Sequence, residues 1–202
     1  MPVNLIQDDS FGTYHLADNP SNYQPAVSNN FRFIVYGINR MVRAGTSDEY
    51  VTNGQEIIDF SVRSVQVPSF SQQPVTINRG NSQVHFAGTP SFAQGQQVVI
   101  YDYINADGKS VLQAWQAQQY DVNRDVVYRV ATTGYKKNCH LIEYTSENQM
   151  VRYWELKGCW ITNLTEEAFD SQNGNQARTV TATIQYDRAI PHMPDEELIA
   201  LE

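Results

Sequence analysis

Cys139 and His140 are neighbours in this 202-residue chain, and a thiol beside an imidazole is the raw material of nucleophilic catalysis. The surrounding residues read as a strand, in which adjacent side chains point to opposite faces, so the two groups would not meet. The second cysteine, Cys159, lies in no CxxC and near no histidine pair. A zinc site or a disulfide framework is therefore not expected, and both thiols read as reduced, packed core residues. His15, His85 and His192 are scattered. Adjacent carboxylates occur at Asp8-Asp9, Glu166-Glu167 and Glu196-Glu197. Each pair stands in a polar setting, where a solvated face explains it better than a buried acid and base. Asn163-Leu164-Thr165 matches a glycosylation sequon, which has meaning only in a secreted chain.

No phosphate-binding, dinucleotide-binding, zincin or nucleophile-elbow motif is present in the sequence. No enzyme activity, cofactor or metal is expected. The 12 tyrosines are dispersed. They read as half-buried strand residues with wet hydroxyls, with a sugar-binding aromatic platform as the alternative.

Charge narrows the partners. The chain has 14 Lys+Arg against 22 Asp+Glu, a formal net charge of -8. Phosphate neutralisation needs clustered basic residues, so a nucleic-acid-binding surface is not expected. The apolar runs are short and mean hydropathy is -0.47, so no membrane-spanning helix is expected. Met1 to Ser10 carries acids where a secretory leader has a basic and then an apolar stretch.

The elements that would carry these residues are mostly strands. Residues 1–27 are polar and turn-rich, an N-terminal arm. Phe31 to Tyr36 alternates as a first strand. Gly37 to Gln55 is a polar excursion, and Ile57 to Val67 reads as a second strand with Ile58, Phe60 and Val62 inward and a bulge near Arg63-Ser64. Val75 to Arg79 and Gln83 to Phe86 flank Gly80-Asn81 as a hairpin or a bent strand, broken by Gly88 and Pro90. A strand over Gln96 to Tyr103 precedes a change of period. Asp107 can cap a helix whose stripe is Val111, Leu112 and Trp115. Asn138 to Thr145, a turn, and Met150 to Trp160 form a hairpin. In the returning strand Trp154, Leu156, Gly158 and Trp160 would share one face, and Cys159 the other. Asp170 to Asn175 reads as a loop. Arg178 to Asp187 alternates cleanly, with Val180, Ala182, Ile184 and Tyr186 inward and Thr179, Thr181, Thr183 and Gln185 outward. Pro191 and Pro194 would end the domain, and Asp195 to Glu202 could form a short acidic helix. The fold class is mainly β: an antiparallel β-sandwich or open barrel with one flanking helix. Its domain spans residues 28–190, between the arm at 1–27 and an acidic tail at 191–202. The expected core includes Phe31, Phe33, Trp115, Trp154, Trp160 and Ile184.

The order of these segments resembles a known family. It comprises Phe31-Arg32-Phe33, Ser64-Val65-Gln66-Val67-Pro68, Gly88-Thr89-Pro90, the strand Val98 to Asp102, and the Trp115-bearing helix. It closes with Trp154-Glu155-Leu156-Lys157-Gly158-Cys159-Trp160-Ile161 and a last strand ending at Tyr186-Asp187. The set is similar to the tail tube proteins of contractile-tailed bacteriophages of the T-even type, whose fold is shared with injection-system tubes. Ile161 stands where that family often has Pro.

The resemblance implies a structural subunit of the virion tail, assembled in the host cytoplasm. Six copies would join sheets edge to edge into a ring, and rings would stack into a tube inside a contractile sheath. Its partners would be copies of itself, the sheath, and baseplate and tail terminator proteins. DNA would pass as cargo, helped by an acidic, Lys-poor wall. Asp59, Ser61, Thr179, Thr181, Thr183 and Gln185 are the bore candidates. The excursion supplies the candidates for ring-to-ring contact: Arg43, Ser47, Asp48, Glu49 and Tyr50. The alternatives are a baseplate tube initiator or tail cap, the tube of an injection particle, and a carbohydrate-binding β-sandwich of a tail fibre.

Overall fold

The computed structural model describes residues 28–40, 53–92, 95–105, 107–121, 125–127, 134–168 and 177–193. The N-terminal arm, the five ring-to-ring candidates, the Asp170–Asn175 loop and residues 194–202 of the acidic tail lie outside them.

In chain order the elements are β1 (Phe31–Val35), a 3-10 turn (Ile38–Arg40), α1 (Gly54–Ser61), β2 (Val62–Val65), β3 (Phe70–Arg79), β4 (Ser82–Phe92), β5 (Gln96–Tyr101) and α2 (Gly108–Ala117). There follow β6 (Tyr120–Asp121), β7 (Val126–Val127), β8 (Lys137–Tyr144), β9 (Met150–Glu166), β10 (Thr179–Gln185) and β11 (Arg188–His192). Seven strands form one antiparallel sheet in the order β1-β8-β9-β10-β5-β2, with β11 paired to β9 beside β10. β3 and β4 pair with one another, as do the short β6 and β7.

β9 belongs to both halves of the sheet. Its first part pairs with β8 and β11, its last part with β10. An extra residue enters β9 between the Lys137↔Cys159 and Cys139↔Leu156 pairs, and another between the Thr183↔Asn163 and Ile184↔Ile161 pairs. Such bulges bend a strand and reverse which side chains face the core. The inward set therefore runs Trp154, Leu156, then Cys159, Ile161, then Leu164. This corrects the expected phase. Cys159 is buried, and Trp160 turns away from the core to stand edge-on to Tyr135. Gly158 makes the first bulge possible. Its φ is 68°, and a Cβ there would come within 2.2 Å of Asp187 Oδ2.

The rest of the expected core divides. Phe33, Trp115 and Ile184 are fully buried, while Phe31 and Trp154 pack half-buried against the cluster. Val180, Ala182, Ile184 and Tyr186 all face inward, as the alternation requires.

Two helices flank the sheet. α2 begins as expected: the Asp107 carboxylate accepts from Ser110 N at 2.8 Å and also from the Ser110 hydroxyl. Val111, Leu112, Ala114 and Trp115 are buried, and Trp115 Nε1 donates to the Tyr135 carbonyl at 2.9 Å. α1 replaces the first half of the expected second strand. Gly54, Ile58 and Ser61 are its buried residues, three and four apart, a helical stripe rather than the period-2 set Ile58, Phe60 and Val62. Phe60 is exposed. The strand resumes at Val62, and the expected bulge is there: register shifts between Val62 and Ser64 against β5.

Gly88 and Pro90 do not end their strand. β4 runs through both to Phe92, with a register shift opposite Gln72–Pro74. A Cβ on Gly88 would lie 2.0 Å from the Gln73 carbonyl oxygen, so only glycine fits this close crossing. Pro191 also lies within a strand, as part of β11.

Candidate assembly surface

β3 follows β2 in the chain after Gln66–Ser69, and β4 precedes β5. β2 with β5 belongs to the large sheet. β3 with β4 forms a two-stranded ribbon of its own, with no third strand among the described residues. Every residue of β3 is exposed. At about 3.4 Å per residue its ten residues extend roughly 34 Å.

The outer part is anchored at its root. Phe92 packs edge-on to Tyr186 and tilted against Phe70, and the Tyr186 hydroxyl donates to the Ser69 carbonyl at 3.3 Å. Beyond that root the register places Val75 opposite Phe86 and Ile77 opposite Val84 on one face, with Thr76 opposite His85 and Asn78 opposite Gln83 on the other. Thr76 Oγ1 and His85 Nδ1 lie 3.0 Å apart on the polar face. The four apolar residues are 39 to 53% exposed. The ribbon is amphipathic, and nothing among the described residues covers its apolar face.

At the β1 margin one backbone donor is met from outside the sheet. α1 lies beside it, and Gln55 Oε1 accepts from Val35 N at 3.0 Å. Gln55 Nε2 donates to Asp59 Oδ1, and Arg32 Nη2 meets Asp59 Oδ2 at 2.6 Å. The Asp59 hydrogen bond is the main reason the Arg32 guanidinium is held above its ordinary pKa. A shallow cavity of about 730 Å³ opens beside this clasp, lined by Asn29, Asn39, Asn53, Asn148 and Phe60 among others. At the far part of β9, Gln119, just past the end of α2, donates from Nε2 to the Ile161 carbonyl at 3.0 Å.

The bore candidates fall in three environments. Ser61 is buried within the subunit, where Gly108 of α2 approaches it. Asp59 is held by Arg32 and Gln55 beside β1. Neither stands on a polar strand face, because their segment is helical. Thr179 is also buried, with its hydroxyl donating to Glu167 Oε1 at 2.7 Å and its N–H to Oε2. These two bonds hold the Glu167 carboxyl below its ordinary range. Thr181, Thr183 and Gln185 remain half-exposed on the face of β10 away from the core.

Of the paired carboxylates only Glu166-Glu167 lies among the described residues, and both of its members are bonded. Glu166 meets Lys109 Nζ at 2.8 Å and Arg178 Nη2 at 2.5 Å, and the Lys109 bond is the first cause of its lowered pKa. Arg178 also reaches Asp102 at 3.5 Å, tying β9, β10 and β5 at one end. Cys139 and His140 do point apart. Burial, followed by the neighbouring Cys159 thiol, pushes the Cys139 thiol well above its usual range. His140 sits on the outer face, between Tyr36 and Tyr153. Burial lowers its pKa, with Glu155 opposing that shift and His192 adding to it. No group of three or more His, Cys, Asp or Glu among the described residues could hold a metal ion.

Among the described residues, a buried core under a seven-stranded sheet stands beside a two-stranded amphipathic ribbon whose apolar face is exposed. Residues 29–189 match the family model described as T4-like virus tail tube protein gp19. The chain belongs to that family. Comparison with curated proteins gives no match. Among solved structures, a chain of the anti-feeding prophage (AFP) baseplate is similar, with a TM-score of 0.58 at 13% identity over 84% of this chain and 97% of that one. A chain of the PVC sheath-tube complex, an extracellular contractile injection system in its extended state, gives 0.56 at 17% identity over 88% and 99%. A chain of the PVC sheath/tube terminator gives 0.53 at 18% identity over 83% and 96%. The ribbon as a free surface was not recognised from sequence. The signal that could have found it is the absence of any Asp or Glu between Asp59 and Asp102 in an otherwise acidic chain.

Proposed function

We propose that this chain is the repeated subunit of a phage tail tube: six copies close a ring, and rings stack into a hollow conduit through which DNA passes inside a contractile sheath. The observation that carries this reading is the family match over residues 29–189. A head-to-tail contact between identical subunits that does not close produces a filament, the geometry a tube needs. Sheath, baseplate and terminator proteins are then its partners, and the virion tail its place.

Thr181, Thr183 and Gln185 are the proposed bore residues, since they form an uncharged polar row on β10. Such a row offers DNA neither cations to bind nor an apolar surface to stick to. Arg43, Ser47, Asp48, Glu49 and Tyr50 are retained as the proposed ring-to-ring contact.

Negative-stain microscopy of the purified chain tests the reading. Hollow rings or stacked tubes are expected, and a monodisperse monomer at high concentration overturns it. Deletion of Arg43 to Thr52 is expected to leave soluble rings that no longer stack; normal tubes from that deletion remove the segment from the contact.

A further inference from the structure

We propose that β11 is an acid-operated latch: protonation of both His140 and His192, which share the single carboxylate of Glu155, releases this strand from β9. The inference concerns the chain on its own and goes beyond the tube-subunit reading.

Three observations carry it. The first is a row of rings on the face of the sheet away from the core. It runs from the end of β1 across β8 and β9 to β11. Tyr36, just past β1, stands edge-on to His140 of β8 with ring centroids 5.0 Å apart, and its hydroxyl lies 3.2 Å from His140 Nδ1. His140 is 5.6 Å from the ring of Tyr153 in β9, and Tyr153 stacks almost parallel on His192 of β11 at 4.5 Å. One tyrosine ring thus contacts both imidazoles.

The second is the charge around them. Among the described residues, the charged and titratable groups on this face come from four elements. They are Arg32 and Tyr36 on the β1 side, His140 and Tyr144 from β8, Tyr153, Glu155 and Lys157 from β9, and Arg188 and His192 from β11. Glu155 is the one carboxylate against the imidazoles: Asp59 of α1 is held by Arg32 and Gln55, and Asp187 by Lys136. Both oxygens of Glu155 are already engaged. Lys157 Nζ lies 3.3 Å from Oε1, and His192 Nε2 lies 3.7 Å from Oε2. An imidazolium at His192 therefore has a carboxylate and the face of Tyr153. A second, at His140, has no carboxylate of its own and meets the first across Tyr153. Arg188, in register with Lys157, adds to the positive side. Interacting sites of this kind take up their protons in separate steps, and the folded sheet resists the second. Burial, and His192 in addition, lower the His140 pKa against the pull of Glu155. A detached segment binds that proton more readily, so the grip is complete above the ordinary histidine pKa of about 6.5 and is lost as pH falls below it.

The third is that β11 is the strand of this group least held. β8 is paired on both sides, with β1 and with β9. β11 has five residues, pairs among the described residues with β9 alone, and includes Pro191, which has no N–H to give the ladder. Repulsion built up on the shared face is therefore relieved at β11.

Hydrogen exchange, expressed as protection relative to the intrinsic rate at each pH, reads the latch. From pH 7.5 to 5.5 the β11 amides are expected to lose protection by at least about threefold, while those of β10 keep theirs. His140→Gln and His192→Gln each replace one imidazole by a neutral side chain and are expected to flatten the change. Glu155→Gln is expected to enlarge it, because no carboxylate then favours even the first imidazolium. A purely structural role for Glu155 would instead lower protection by the same factor at both pH values, and that result overturns the shared-carboxylate latch. β11 protection that ignores pH, or that falls in step with β10, overturns it as well. So does an undiminished fall in the double variant His140→Gln/His192→Gln.

Discussion

His140 shows how one side chain records its surroundings. It lies half-buried on the outer face of β8, against Tyr36 and Tyr153, with Glu155 directly opposite in register. Its pKa is lowered in the folded chain, chiefly by burial. The unfolded chain then binds a proton more readily, so this site's stability is complete above the ordinary histidine pKa of about 6.5 and declines as pH falls through that region. Denaturant midpoints at pH 7.5 and 5.5 should differ less in His140→Gln than in the parent; an equal difference would show that the burial has no energetic consequence. Gly158 is the other decisive residue. Its positive φ is a conformation that other residues adopt only with strain, and a Cβ there would also displace the Asp187 carboxylate. Gly158→Ala should cost about 1–3 kcal/mol, measured by urea unfolding, because the bulge must shift or strain.

At the scale of elements, α1 is the informative case. Gln55 and Asp59 lie four apart on one helix face and meet β1 at Val35 N–H and the Arg32 side chain. The Arg32 side chain is half-exposed, so the ion pair itself contributes little after screening. The hydrogen bond to Val35 matters more, because it satisfies a strand-edge donor. Gln55→Ala should lower stability by about 1 kcal/mol and speed hydrogen exchange at the Val35 amide relative to neighbouring β1 amides. Unchanged exchange there would mean the edge is closed by something other than Gln55. The strand reading of Ile57 to Ser61 failed because a short apolar run satisfies both periods. Ile58, Phe60 and Val62 alternate, yet Gly54, Ile58 and Ser61 also form a helical stripe. Packing against α2, whose Gly108 leaves space beside Ser61, is the tertiary fact that sequence periodicity does not contain. α2 was legible because its signals are local: a capping Asp107 followed by apolar residues spaced for one helix face.

For the whole molecule, the separation of a buried core from an uncovered ribbon connects fold with assembly. The core gathers residues from both halves of the sheet and both helices. Leu156 lies at the centre of β9 and is fully buried. Leu156→Ala should cost about 2–5 kcal/mol and lower the melting temperature of monomer and assembly alike. Ile77→Asp, on the exposed ribbon face, should instead spare the melting temperature. A ribbon variant that melts early would place those residues in the folding core and remove the separation.

By itself the sequence determined what local pattern can determine. The even alternation of Val180 to Tyr186 set the inward face of β10. Gly80-Asn81 marked a turn or bend, and Asp107 the start of α2. The ordered set of segments was enough to reveal the family. Tertiary structure decided the rest. The phase of β9 is reset by bulges at Gly158 and near Thr162, and a bulge is defined by register against partner strands distant in sequence. That is why Cys159 is inside and Trp160 is not. Burial of Ser61 and Thr179 likewise depends on Gly108 and Glu167, which come from other elements. Whether an apolar face is covered is a property of everything that could pack against it. Val75, Ile77, Val84 and Phe86 look like any strand's inward set when read along the chain; only the assembled fold leaves them outside.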